Sequence, residues 1–384
     1  MEGVRAVLRS CVARVGGLTA IVVLLLCAVL TLITHATSRK KKACPPVKEG
    51  MVEICESLDW APARRRVFAA FQSFRTTFPH TLFHENNPRV KTKEMYQINT
   101  RGVELFTKSW FPETDPAKAI VCLCHGYGDT ITFYLDGFAR KLATAQYVVL
   151  GMDYEGFGLS SGLHGYIHNF DTIVDDVIEH YSTVTEQPEL MGLPRFLFGQ
   201  SMGGAVALKV LLKQQNAWNG AILVAPMCKI ADDMYPPWLL VQILKVLVPM
   251  FPTWKLVPNR DVAGYGFRDI KKRKQTAYNV IGYGDRPRLK TALELLRATD
   301  DIEANLHRVS LPLLILHGAA DRITDPSVSK ALYQLASSSE KNLHLYEDAW
   351  HCILEGESDE IIHKVLGDII VWLDSHCDTQ VCNK

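Results

Sequence analysis

The sequence has few of the features that mark a secreted, disulfide-stabilised protein. Its 10 cysteines are spread over 384 residues, and no Asn-x-Ser/Thr glycosylation site occurs. Cysteines this sparse exclude a disulfide scaffold, and we expect reduced, structural thiols. No group of cysteines and histidines has the spacing of a zinc site, so we predict no structural metal.

The chain also has almost no net charge and no repeated or low-complexity segment. Its 42 basic and 41 acidic residues leave a net charge of +1, which argues against a basic nucleic-acid-binding protein. The hydrophobic fraction of 48% and the charged fraction of 22% exclude a chain that is disordered throughout. The length suits one large α/β domain with additional segments, or two ordinary domains.

The charges are unevenly distributed: residues 1–42 sum to +6, and the remaining residues sum to −5. Within this tail, residues 18–33 are apolar, and with their uncharged flanks they are long enough to span the hydrocarbon of a bilayer. The first interpretation is a transmembrane anchor at an endomembrane, with the main domain facing the cytosol because Arg39–Lys42 follow the apolar run. The alternatives are a cleaved signal peptide and an organelle-targeting segment, the latter with a plastid location.

Residues 43–94 form a predicted helical adaptor between this segment and the main domain. From Pro62 to Phe78, aliphatic and aromatic side chains recur at helical spacing, which predicts an amphipathic helix. The simpler interpretation is a helix docked on the surface of the domain. The alternative is an interfacial helix whose arginines, Arg64–Arg66, lie near lipid headgroups.

Strands alternate with helices from residue 95 to residue 384. A predicted hairpin at 96–111 is followed by short apolar runs, such as AIVCLC (119–124) and GAILVAP (220–226), separated by helical patterns. This order predicts an α/β fold with a mostly parallel central sheet and helices on both faces. Residues 228–301 interrupt the order, and their length and their Pro, Trp and Met content predict a helical cap above the C-terminal edge of the sheet.

The sharpest feature of the sequence is the segment Gly199-Gln200-Ser201-Met202-Gly203, between a predicted strand and a predicted helix. This G-x-S-x-G pattern places a nucleophilic serine on a sharp turn. The glycines allow the strand and the helix to approach closely, and the backbone N–H of Met202 at the start of the helix can stabilise a developing oxyanion. We therefore predict Ser201 as a nucleophile.

A serine nucleophile needs a general base and an acid that orients it, in the chain order Ser, acid, His. Asp321 and His351 each follow a predicted strand, so both fall at the edge where open α/β sheets assemble their sites. We predict Asp321 as the orienting acid and His351 as the base. Of the other candidates, Asp325 is typical of a helix N-cap, His317 is interpreted as a packed loop residue, and His363 lies within a predicted helix.

The second oxyanion donor is predicted in the loop His125-Gly126-Tyr127-Gly128, which follows a buried strand. A loop in this position supplies a backbone N–H, and we assign that of Tyr127. His125 is interpreted as a residue that braces the loop. Residues 153–158 end the next strand and are expected to shape the pocket.

Six segments carry a family resemblance that extends through most of residues 95–375: HGYGDT (125–130), DYEGFGLSSGLHGYI (153–167), FLFGQSMGGAVALK (196–209), LVAPMCKIADDM (223–234), LHGAADRITDP (316–326) and YEDAWH (346–351). They resemble the plant monoacylglycerol lipase-like serine hydrolases, a group that includes caffeoylshikimate esterase and enzymes called lysophospholipases. The resemblance implies an α/β-hydrolase fold, no cofactor and a cap over the acyl site. It also implies that Ser201, Asp321 and His351 form a catalytic triad and that Met202 and Tyr127 supply the oxyanion N–H groups.

The implied activity is hydrolysis of a lipid or small-molecule carboxylic ester through an acyl-enzyme. The cap is rich in apolar and aromatic residues that suit a fatty acyl chain, and we predict substrate contacts from Trp238, Leu239, Met250, Phe251 and Trp254. Alternatively, these residues only pack the cap onto the core. Monoacylglycerol is the first expected substrate, and lysophospholipid and caffeoylshikimate are the alternatives. An acyltransferase or a non-catalytic receptor-like hydrolase is a further alternative on the same fold.

Overall fold

A computed structural model describes residues 57–71, 78–83, 90–113, 116–230, 236–257 and 262–378. The predicted transmembrane segment lies outside these residues, and so does part of the predicted adaptor. All of the described residues belong to one compact unit, Glu56–Lys384. Within that described part, none of the helices is both long and apolar enough to cross a membrane.

One eight-stranded sheet organises the fold, with the strand order β1-β2-β4-β3-β5-β6-β7-β8. The six strands β3 to β8 pair in parallel, whereas β2 runs antiparallel to both β1 and β4. The strands are β1 Val90–Ile98, β2 Glu104–Pro112, β3 Ala119–Cys124, β4 Tyr147–Met152, β5 Arg195–Gln200, β6 Gly220–Val224, β7 Leu313–Gly318 and β8 Lys341–Tyr346. The predicted mostly parallel sheet is confirmed.

Helices cover both faces of this sheet. They are α1 Ala61–Ala70, α2 Tyr134–Thr144, α3 Phe170–Thr185, α4 Met202–Lys213, α5 Trp238–Leu247, α6 Val262–Gly266, α7 Ile270–Gln275, α8 Leu289–Asn305, α9 Pro326–Leu335 and α10 Asp359–Asp378. Side chains alternate between the faces along each strand. In β3, Ile120 and Cys122 therefore join the core under α3 and α4, whereas Val121 and Leu123 join the core under α2 and α10.

Local capping explains where two of these helices begin. The side chain of Asn169 accepts a hydrogen bond from the N–H of Asp171 and so caps α3. Asp325 accepts from the N–H of Ser327 at the start of α9, with Pro326 at the first helical position. The interpretation of Asp325 as a cap is therefore confirmed.

The long connection between β6 and β7 contains helices α5 to α8. Phe251 and Trp254 stack with their ring centroids 4.0 Å apart. They pack against Leu289 and Leu293 of α8, so this region has an apolar core of its own. Helix α8 ends at Asn305, a few residues past the predicted limit of the cap.

Helix α1 of the adaptor is shorter than predicted and is docked on the domain. It ends at Ala70, and Phe78 lies outside a helix. Arg64 is fully buried and donates 2.6 Å hydrogen bonds to the carbonyls of Gly158 and Ser160. Arg65 forms an ion pair with Glu104 at 2.6 Å. The interfacial interpretation is therefore wrong for these two arginines, because protein groups already hold them.

Candidate active site

Ser201 lies at the turn between β5 and α4 and has the strained backbone of a nucleophile elbow. Its φ of 54° and ψ of −119° are unfavourable for a residue with a side chain. Backbone hydrogen bonds hold this conformation: the N–H of Ser201 donates to Val224 O, and its carbonyl accepts from the N–H groups of Gly204 and Met227, all at 2.9 Å. The turn presents the hydroxyl at the C-terminal end of β5.

Asp321 and His351 form a direct hydrogen-bonded pair. Asp321 follows β7 and His351 follows β8, and both are buried. His351 Nδ1 lies 2.7 Å from Asp321 Oδ2, so Nδ1 carries the proton and Nε2 is left to act as a base. Burial opposes ionisation of Asp321, but the charge and hydrogen bonds of His351 and His317 outweigh it and hold the pKa of this carboxyl well below its usual range.

The acid of this pair has a second imidazole neighbour, His317, for which the sequence predicts only a packed loop residue. His317 Nε2 lies 3.0 Å from Asp321 Oδ2 and 2.9 Å from Thr324 O. Both neighbours are acceptors, so Nε2 carries the proton, and His317 Nδ1 faces the hydroxyl of Ser329 at 2.6 Å. His317 at the end of β7 therefore orients Asp321. The sequence feature that could have indicated this role is the position of His317 at a strand end, four residues before Asp321.

Thr324 joins the acid–base pair to the strand beside the elbow. Its hydroxyl lies 2.9 Å from Asp321 Oδ2, 3.1 Å from His351 Nδ1 and 3.2 Å from Ala225 O. In the described part of the chain, no hydrogen bond connects the Ser201 hydroxyl with His351. Such bonds are often long in unliganded enzymes and tighten when substrate binds.

The two predicted oxyanion donors are available for an incoming group. Neither the N–H of Tyr127 nor that of Met202 donates a hydrogen bond to another described residue. The phenol of Tyr127 donates to Gly165 O at 3.1 Å, which fixes the side chain of this loop. His125 Nδ1 contacts Gly126 O at 2.8 Å, and burial lowers the pKa of its imidazole to about 4, so this histidine braces the loop in its neutral form.

Asp153 supports the far end of the same loop. Its buried carboxylate accepts from the N–H of Ile131 at 2.9 Å, from the hydroxyl of Thr130 at 2.9 Å and from the N–H of Leu159 at 2.8 Å. Burial raises the pKa of Asp153 to about 6 despite these donors. The segment after β4 therefore fixes the oxyanion loop.

The helical connection between β6 and β7 touches the loops on both sides of the site. The N–H of Tyr283 donates to Gly128 O at 2.7 Å, and the N–H of Cys352 donates to Gly266 O at 3.0 Å. These bonds join it to the oxyanion loop and to the turn that carries His351. It therefore lies above the C-terminal edge of the sheet, at the site.

Among the residues predicted to contact substrate, Trp238, Leu239 and Met250 are 74%, 54% and 67% exposed. Phe251 and Trp254 instead pack within the apolar core of this helical region. The alternative that these side chains pack the cap therefore describes Phe251 and Trp254, and substrate contact from the five residues stays a prediction. Among the residues described, no group of three or more His, Cys, Asp or Glu could hold a metal ion.

Three features together define an α/β-hydrolase: a serine on a strained strand–helix turn, a His–Asp pair at later strand ends, and a mostly parallel sheet. A family model described as serine aminopeptidase, S33, matches residues 115–359. The chain therefore belongs to this hydrolase family.

Its relatives are ester hydrolases, and so is this chain. Caffeoylshikimate esterase of Arabidopsis thaliana is 31% identical over 303 residues, covering 79% of this chain and 91% of the relative. Monoglyceride lipase of Homo sapiens is 31% identical over 286 residues, covering 73% and 90%. A soluble variant of monoglyceride lipase from Saccharomyces cerevisiae, solved in complex with a substrate analog, has a TM-score of 0.67 at 21% identity and covers 78% of this chain and 99% of that chain. This structural likeness shows the fold.

Proposed function

We propose that the protein hydrolyses monoacylglycerols to fatty acid and glycerol through an acyl-enzyme formed on Ser201. The proposal rests on one observation: Ser201 on its strained turn lies at the same sheet edge as His351 and Asp321, whose Nδ1 and Oδ2 atoms are 2.7 Å apart. Relatives named monoglyceride lipase and monoacylglycerol lipase, each covered over most of its length, support the substrate class.

The proposed mechanism uses the same residues in the formation and in the hydrolysis of the acyl-enzyme. Ser201 Oγ attacks the ester carbonyl carbon while His351 Nε2 takes its proton, and the N–H groups of Tyr127 and Met202 stabilise the oxyanion. Collapse of the tetrahedral intermediate breaks the ester C–O bond, and His351 returns the proton to the departing glycerol oxygen. Water then attacks the acyl-enzyme with His351 as base, which releases the fatty acid and restores the Ser201 hydroxyl. Asp321 stabilises the imidazolium in both steps.

A second candidate substrate is caffeoylshikimate, favoured by the Arabidopsis thaliana relative at 31% identity. Lysophospholipid is a third candidate. The protein would instead be an acyltransferase if an acceptor other than water attacked the same acyl-enzyme. The exposed apolar side chains of Trp238, Leu239 and Met250 in the helical connection above the site support a lipid substrate, because exposed apolar surface can meet an apolar partner.

A comparison of kcat/KM on monooleoylglycerol, lysophosphatidylcholine and caffeoylshikimate tests this choice. We expect monooleoylglycerol to be preferred by at least about tenfold, since one well-matched acyl contact changes discrimination by that order. A higher value on caffeoylshikimate would favour the second candidate. Product analysis with added glycerol or shikimate distinguishes acyl transfer from hydrolysis.

We further propose that residues 1–42 anchor the enzyme in a membrane, residues 43–94 act as an adaptor, and residues 95–384 form the hydrolase domain with a cap at about 228–301. The support is the apolar run 18–33 and its basic flanks. We expect the full-length chain to remain in the membrane pellet after extraction with alkaline carbonate. A chain that lacks residues 1–42 is the matched control and should be released. Release of the full-length chain would contradict the anchor.

A further inference from the structure

A buried carboxyl group other than Asp321 lies between the strand that carries the nucleophile and the turn that carries the base. Glu355 is 5% exposed, and Gln200, the last residue of β5, is 6% exposed. Gln200 Nε2 donates to Glu355 Oε1 at 2.7 Å, across a sequence separation of 155 residues. Gln200 immediately precedes Ser201, so this bond acts on the elbow itself.

The turn that carries Glu355 also carries His351. The N–H of Ile353 donates to His351 O at 3.1 Å, and the N–H groups of Glu355 and Gly356 donate to Cys352 O at 3.2 and 2.6 Å. Residues 351–356 therefore form one hydrogen-bonded turn. The position of Glu355 is coupled through this turn to the backbone that carries His351.

The sheet by itself fixes the distance between nucleophile and base only loosely. Strands β6 and β7 lie between β5 and β8, and three spacings of about 4.8 Å separate β5 from β8 by about 14 Å. Small changes of twist accumulate over that span. The Gln200–Glu355 bond joins the end of β5 directly to the turn that follows β8, so it can hold the two sides of the site in register.

An ion pair does not account for the buried carboxyl group of Glu355. No Lys or Arg in the described part of the chain forms an ion pair with Glu355. Its other titratable neighbours are His351, the thiol of Cys352, Asp129, Tyr134 and His80, whose Nε2 lies 2.9 Å from Glu355 O. Burial raises the pKa of Glu355, against the opposing effects of the Gln200 hydrogen bond and the His351 charge. A buried acid without a cation costs stability, and such groups cluster at functional sites.

We propose that Glu355 is a positioning residue that acts through Gln200 to hold Ser201 and His351 within hydrogen-bonding reach of each other. This inference rests on the proposed function, in which Ser201 is the nucleophile and His351 is the base. Glu355 touches no reacting atom. Its effect is therefore expected on kcat, through geometry, and little on KM.

A double-mutant cycle in the full-length chain tests the proposal. The variants are Gln200→Leu, Glu355→Leu, the double variant and Glu355→Gln, whose side-chain oxygen can still accept from Gln200. The substrate is a p-nitrophenyl ester, and each rate is divided by the number of sites that react with a fluorophosphonate at completion. We expect each Leu variant to lose about tenfold in kcat. The double variant should lose no more than the worse single variant, and Glu355→Gln should recover most of the rate. Glu360→Leu, on the exposed face of α10, is the matched control.

Three results would overturn the inference: an unchanged kcat per reactive site in Glu355→Leu, losses that multiply in the double variant, or a loss confined to the yield of folded protein. Should Glu355→Leu not fold, Gln200→Leu and Glu355→Gln carry the test by the same criteria. Ser201→Ala separates this inference from the proposed function. Retained hydrolysis in Ser201→Ala contradicts the site itself, whereas loss there with full kcat in Glu355→Leu contradicts only the role of Glu355.

Discussion

Replacement of Ser201 by Ala is expected to lower kcat for a short p-nitrophenyl ester by at least about 10⁴-fold. The reason is that Ala cannot form the acyl-enzyme, so the two-step route is lost and only oxyanion stabilisation and binding remain. The strained backbone of Ser201, with its φ of 54°, accepts a methyl side chain as it accepts a hydroxymethyl one. The fold and the thermal unfolding midpoint should therefore change little.

Labelling by a fluorophosphonate probe gives a second measurement of the same change. The probe forms a covalent bond with an activated serine, so the wild-type chain should be labelled and Ser201→Ala should not. Ser337→Ala, at an exposed position after α9, is the matched control and should be labelled like the wild type. Labelling or hydrolysis that persists in Ser201→Ala would show that another residue is the nucleophile.

Features set by local sequence could be predicted well. Helix α3, Phe170–Thr185, has a regular apolar periodicity and is capped by Asn169, so its bounds follow from local sequence. The strand ends could also be located from short apolar runs. Their position sufficed to select Asp321 and His351, whose side chains meet at 2.7 Å.

Features set by contacts between distant segments could not be predicted. The Gln200–Glu355 bond joins residues 155 positions apart and depends on which side chains face each other after folding, whereas periodicity records only which face is buried. The exposure of Trp238 and Met250 likewise does not follow from their apolar character, because exposed apolar side chains are common at protein surfaces.

Replacement of Gly203 by Ala is expected to have the largest effect on the fold. A Cβ atom on Gly203 would lie 1.9 Å from Cys124 O and 2.8 Å from His125 O. These acceptors belong to the backbone of β3 and of the oxyanion loop, so no side-chain rotation relieves the clash. Helix α4 would have to move away from β3, and we expect a loss of about 3 kcal/mol in the free energy of unfolding, the upper end for overpacking.

The displacement should also be visible in catalysis, because α4 begins directly after Ser201 and supplies the N–H of Met202. A shift of about 1 Å at a nucleophile can cost about 100-fold in rate, so the soluble fraction of Gly203→Ala should show a kcat lower by that order. The measurements are the urea midpoint and kcat per folded molecule. Gly367→Ala is the matched control: its Cβ would meet nothing within 4 Å, and in the interior of α10 it should raise stability by about 1 kcal/mol. A Gly203→Ala variant with wild-type midpoint and kcat would contradict the close packing of α4 on β3 from which the elbow geometry follows.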